Sequence, residues 1–167
     1  MKNIVSLLAL VCAFASIAEE INHIPNPSGA ENFKMWYNPA HARITAADGI
    51  LTIAANPDPK YNAYQKAQIT LSGKGADVQG RKFELSFKYR AEKLEGSLQV
   101  AVREVFSKGG RYHGKVLKKW DAPGEWKEVR HVFTTRGDAS GLQLYIVGRY
   151  MKPGDKVEMK DLKVAAR

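Results

Sequence analysis

The chain has 167 residues, 44% of them hydrophobic, with 26 Lys and Arg against 17 Asp and Glu for a formal net charge of +9 at pH 7. That length suits one core of ordinary size and excludes a disorder-dominated composition. Cys12 is the only cysteine, which excludes an intrachain disulfide framework. The basic balance suits an acidic partner, and equally serves solubility.

Residues 1–18 read as a cleaved secretory signal. Lys2 supplies the positive start, Ile4 to Ala15 the apolar stretch, and Ser16-Ile17-Ala18 the small residues before Glu19. The apolar stretch falls short of the roughly 18–20 residues that span a bilayer. No later apolar stretch reaches that length, so no membrane span is expected. Residues 19–167 are expected to form a single β-sandwich domain, monomeric and secreted or periplasmic, with Cys12 and Lys2 removed.

Strand signals then follow one another. Ile50 to Ala54 is an apolar run after the turn signal Asp48-Gly49, and Gln65 to Leu71 alternates loosely. Lys82 to Arg90 alternates cleanly, with Phe83, Leu85, Phe87 and Tyr89 on one face. Ala91 to Glu95 reads as a helical turn. Leu98 to Phe106 sets Leu98, Val100 and Val102 inward, and Gln99, Ala101 and Arg103 outward. Lys127 to Thr135 is a β-rich run opened by Trp126. Leu142 to Val147 turns Leu142, Leu144 and Ile146 inward, and Gln143, Tyr145 and Val147 outward. The last run, Lys156 to Val164, changes register midway, which a bulge near Asp161 reconciles. Turns rich in Gly and Pro, such as Asn56-Pro57-Asp58-Pro59 and Lys152-Pro153-Gly154-Asp155, separate the runs. The pattern predicts an all-β, antiparallel β-sandwich of the jelly-roll, galactose-binding-domain-like kind.

Five segments in order resemble the CenC-like carbohydrate-binding modules of families 4, 9 and 22. These are Asn26-Pro27-Ser28-Gly29-Ala30-Glu31 with nearby Trp36; Gly80 to Phe87; Trp126 leading to Phe133-Thr134; Leu142 to Gly148; and Val157 to Val164. The aromatic residue usual before the opening Glu is replaced by Gly29 and Ala30. The resemblance implies a jelly roll whose first and last strands lie together. It implies a polysaccharide or oligosaccharide ligand held on a sheet face and adjacent loops. It also implies a structural calcium on Glu31 and Asp161, carboxylates of the kind calcium takes among several oxygens.

A sugar needs an aromatic platform and planar polar groups. On the sheet face the residues opposite the core register are Gln99, Arg103, Gln143 and Tyr145, with Lys88 and Arg90 expected on the neighbouring strand. In loops the candidates are Tyr61, Tyr64, Tyr112, Trp120 and Tyr150. Trp36 and Trp126 are expected in the core. Arg103 has a second reading, as the partner of an acid such as Glu84. The basic set Lys88, Arg90, Arg103, Arg130 and Arg149 suits uronate or sulfated units, because guanidinium groups bind carboxylates bidentately.

Catalytic patterns are thin. No carboxylate pair sits in a recognisable glycosidase arrangement, and His23, His41, His113 and His131 lack metal-ligand spacing. No nucleic-acid motif accompanies the charge. A small jelly-roll polysaccharide lyase or glycosidase, and an envelope or extracellular protein-interaction domain, remain as alternatives to a non-catalytic binding module.

Overall fold

The computed structural model describes residues 21–27, 36–37, 42–118 and 124–167. The expected signal segment, Glu31 and Trp120 lie outside the described residues. The strands are β1 (Trp36–Tyr37), β2 (Ile44–Ala47), β3 (Ile50–Ala54), β4 (Tyr64–Thr70), β5 (Lys82–Lys93), β6 (Ser97–Val105), β7 (Gly110–Leu117), β8 (Lys127–Thr134), β9 (Gly141–Arg149) and β10 (Lys156–Ala166). They form two five-stranded sheets, a front sheet in the order β1-β4-β9-β6-β7 and a back sheet in the order β2-β3-β10-β5-β8. Every pairing is antiparallel, so the expected β-sandwich holds.

Alternation decides which side chains meet between the sheets. Phe83, Leu85, Phe87 and Tyr89 of β5 are buried against Leu98, Val100 and Val102 of β6 and Leu142, Leu144 and Ile146 of β9 in one core cluster. Each such side chain contributes about 1.5–3 kcal/mol by leaving water. Asp48 and Gly49 both take positive φ, 50° and 76°, and close the β2–β3 hairpin as the sequence signals. In β10, Val157 and Met159 point inward before a register shift between Lys160 and Lys163, and Leu162 and Val164 point inward after it. Asp161 sits at that bulge with φ 55°. The extra residue lets one strand present apolar side chains on both sides of a change in sequence phase.

The two ends meet as expected. His23 N donates to Val164 O at 2.8 Å, while Asn22 Nδ2 donates to Leu162 O and Asn22 Oδ1 accepts from Val164 N. Trp36 is buried, its indole N–H donating to Asn26 O at 2.7 Å.

The structure corrects four expectations. Ala91 to Lys93 is not a helical turn but the end of β5, paired with Val157 and Lys156 of β10. Strand β7 was not expected, because its inward positions Arg111, His113 and Lys115 are polar and hide the apolar period. They are tolerated at a sheet edge: Arg111 Nε and His113 Nε2 approach the buried Glu104 carboxylate at 2.8 and 3.1 Å. Strand β2 is too short and alanine-rich to register. Trp126 is not in the core; it is half-buried, flanked by the Arg90 guanidinium at 4.9 Å and the Lys160 ammonium at 4.2 Å.

Candidate functional site

The outer face of the front sheet is built by residues that alternate with the core. Cross-strand register arranges them in rows. Thr70, Gln143, Arg103 and Tyr112 form one row; Gln68, Tyr145, Ala101 and Gly114 the next; Lys66, Val147, Gln99 and Val116 the third; Tyr64, Arg149 and Ser97 the last. Thus Gln99, Arg103, Tyr112, Gln143 and Tyr145, five of the six residues expected to bind sugar, lie on one surface. The sixth, Trp120, lies outside the described residues.

A polar cluster sits at one end of this face. Arg103 Nη1 lies 3.4 Å from Gln143 Oε1 and 3.5 Å from the Tyr145 hydroxyl, and Arg103 Nη2 donates to Gly109 O at 3.3 Å. The Tyr145 hydroxyl donates to Gln143 Oε1 at 3.1 Å. Tyr112 and Tyr145 meet edge to face, ring centroids 5.7 Å apart. They divide the work: Tyr145 is buried under Lys66, whose ammonium lies 5.6 Å from its ring, while Tyr112 is 52% exposed. An exposed ring braced edge to face by a buried one is the arrangement that a stacking platform requires.

Gly114 makes the middle row shallow. A Cβ there would overlap Val100 O and sit 2.6 Å from Ala101 Cα, so only glycine lets β7 lie this close to β6. With Ala101 beside it, the surface next to the tyrosine pair is a trough rather than a ridge.

The electrostatics are one-sided. Lys66, Arg103 and Arg149 stand on this face, and among the described residues no outward position of β4, β9, β6 or β7 carries a carboxylate. Glu104, the acid of β6, points inward, where Arg111, His113 and the Arg136 N–H hold it. Burial pushes Glu104 upward, but those hydrogen bonds outweigh it and keep its carboxyl below the usual range. Burial lifts the Tyr64 phenol above its ordinary value against the pull of Arg149, whose guanidinium lies 5.1 Å from its ring, so Tyr64 stays a neutral donor. The Gln68 amide oxygen is buried and finds no hydrogen-bond partner among the described residues.

Other expectations need correction. Lys88 and Arg90 are not neighbours of Arg103: they lie on β5 in the back sheet, paired with Asp161 at 3.0 Å and with Glu158. Arg103 does not pair with Glu84, which binds Arg130 and Arg167 in the back sheet. Tyr64 and Tyr112 are strand residues, not loop residues. Tyr64, Lys66, Gln68 and Arg149 join the face although only their phase against the buried Gln65, Ala67 and Ile69, and against β9, places them there. A stricter period-two reading of Tyr64 to Thr70 is the signal that finds the β4 members.

Asp161 alone does not make a calcium site. Its carboxylate is 58% exposed and already holds the Lys88 ammonium. Among the described residues no group of three or more His, Cys, Asp or Glu gathers as metal ligands. No helix among them is long and apolar enough to cross a membrane.

Comparison with solved structures places this architecture. A family 16 carbohydrate-binding module superposes with a TM-score of 0.62 at 12% identity, covering 86% of this chain and 99% of that one. The N-terminal cellulose-binding domain of Cellulomonas fimi β-1,4-glucanase C gives 0.61 at 13% identity, covering 90% and 98%. A Stig cyclase from Fischerella sp. TAU gives 0.55 at 10% identity, covering 78% and 70%. The chain has the jelly-roll fold of carbohydrate-binding modules. No protein-family model matches it, and no curated protein matches its sequence.

Proposed function

We propose that this protein is an exported, monomeric, non-catalytic carbohydrate-binding module that takes a polysaccharide carrying acidic units on the outer face of its front sheet. One observation carries the reading: Lys66, Arg103 and Arg149 share a surface with the exposed Tyr112 and the Gln99 and Gln143 amides, with no carboxylate among the described residues there to repel an anion. Guanidinium groups match carboxylate and sulfate geometry, and a tyrosine ring matches the C–H face of a pyranose. The strands hold these groups in place before any ligand arrives, which lowers the ordering cost of binding.

The same surface weighs against a glycosidase. That reaction needs two carboxylates across a cleft, and this face offers cations and amides instead. Calcium belongs to the proposal as a stabilising ion on Glu31 and Asp161, the latter on β10 in the back sheet. Its support is the place of Asp161 beside the N-terminal segment that Asn22 ties to β10; the ion would have to displace Lys88. Calcium that raises the melting temperature of the native chain but not of Asp161→Asn supports it; melting indifferent to calcium and to chelator removes it.

The test of the main reading is an affinity panel on residues 19–167. Polygalacturonate, glucuronoxylan and a sulfated glycan are expected to bind, more weakly as salt rises, with no release of products on long incubation. Binding confined to neutral glucans would remove the acidic ligand, and turnover of any polymer would remove the non-catalytic reading.

A further inference from the structure

At the end of the sandwich beyond Arg149 lies a cavity of about 520 Å³, lined by Asn56, Pro57, Pro59, Tyr150, Met151 and Pro153 among others. Its size is within the range of roughly 300–1,000 Å³ typical of small-molecule sites. A second hollow, of about 260 Å³, adjoins it and is lined by Arg149, Tyr150, Ser97 and Lys118 among others. Tyr150 lines both. Its side chain is 68% exposed, and its backbone holds φ at 50°, a conformation that a tyrosine adopts only under constraint.

The constraint is built from buried polar groups. The Asp155 carboxylate, 1% exposed, accepts from the N–H groups of Glu95, Gly96 and Lys152, so it ties the β5–β6 turn to the β9–β10 turn. Asn62, also buried, accepts from Asn56 N and donates to Asn56 O, closing the β3–β4 loop. Met151 N donates to Asn62 O at 3.0 Å, which joins that loop to the residue after Tyr150. Gly96 has no room for a side chain: a Cβ would sit 2.7 Å from both Arg149 O and Tyr150 O. Three loops thus clamp the backbone of one residue and leave its ring in solvent.

Arg149 connects this end to the front face, since it is the last outward residue of β9 and also lines the smaller hollow. From Gln143 to Arg149 that strand spans about 20 Å at its usual rise. We infer that a glycan lying along β9 continues past Arg149 and seats its end residue on Tyr150, with an uncharged pyranose in the proline-walled cavity. Tyr150 supplies the stacking face, and Asn56 and Lys152 border the cavity where ring hydroxyls would lie. This end subsite rests on the front-face reading, and it would make the protein prefer chain ends over chain interiors.

Residues 19–167 labelled with ¹⁵N, titrated with xylohexaose, cellohexaose and a xylohexaose that carries glucuronate on an internal residue and so keeps uncharged ends, test it. The expected result is that one probe shifts the amides of Ala63, Met151 and Gly154 together with those of Arg103 and Tyr112. Tyr150→Gly, which relieves the positive φ and so folds, is expected to weaken that probe at least fivefold while the Arg103 and Tyr112 shifts persist. Tyr150→Phe is expected to bind as the native chain does. A probe that moves the front-face amides but not Ala63, Met151 and Gly154, or that binds Tyr150→Gly unchanged, overturns the end subsite alone. Movement confined to the cavity amides overturns the continuous track. Silence at both sets overturns this inference and the front-face reading together.

Discussion

Tyr112 and Tyr145 stand on strands that do not pair, yet their rings meet at 5.7 Å across the intervening β6. The residue of β6 opposite Tyr145 is Ala101, and opposite Ala101 on β7 is Gly114. Two small residues let two large ones lean together over a strand, and the exposed ring is held by a buried one.

Ala101→Leu tests that arrangement. A leucine side chain would fill the trough and push the tyrosines apart. Glycan affinity is expected to fall at least tenfold, and the melting temperature to fall by several degrees, because Ala101 is only 1% exposed and a larger side chain there overpacks. An affinity titration beside a thermal melt reads both.

Tyr112→Ala and Arg103→Ala separate the platform from the charge. Loss of the half-exposed Tyr112 ring is expected to weaken neutral and acidic ligands alike by about tenfold, in the range of ~1–3 kcal/mol for a binding hot spot. Loss of Arg103 is expected to act on acidic ligands selectively and to flatten their salt dependence. Equal losses on neutral and acidic probes for Arg103→Ala would contradict its assignment to the anion.

Glu104 links stability to acid. Its folded carboxyl is held below the unfolded value, so its contribution is present above about pH 4.3 and is lost as pH falls through the folded value. His131 adds the same sign at higher pH: burial, and next the nearby His113, lower its pKa, so stability declines as pH drops below about 6.5. Glu104→Gln is expected to be less stable at pH 7 by roughly 2–3 kcal/mol, since Arg111, His113 and the Arg136 N–H lose a charged acceptor. It is also expected to lose less stability than native below pH 4. Urea unfolding at several pH values checks the slope.

Asp155→Ala leaves three N–H groups without their carboxylate. A loss of about 3 kcal/mol is expected, together with faster amide exchange at Glu95, Gly96 and Lys152. Unchanged exchange at those positions would show that the turns are held by other means.

Legibility in the sequence followed the strength of alternation. β5, β6 and β9 read correctly because each sets apolar residues at every second position, and the phase alone then turned Gln99, Arg103, Gln143 and Tyr145 to the outside. The bulge in β10 was legible as a phase break. β7 was not, since its inner positions carry Arg111 and His113 for the buried Glu104, a partner that only the fold supplies. Tyr112 is legible as a residue type, but its place on a strand is hidden for the same reason.

Period two, turn residues and net charge are local properties, and they suffice for an antiparallel all-β chain with a defined outward set on each strand. Which strands become neighbours is not local. Lys88 and Arg103 both face outward, but sheet assignment sends them to opposite sides of the sandwich, because pairing of β5 with β10 and of β6 with β9 depends on contacts distant in sequence. The basic tyrosine face, and the clamp that holds Tyr150 at the sandwich end, exist only once those pairings are made.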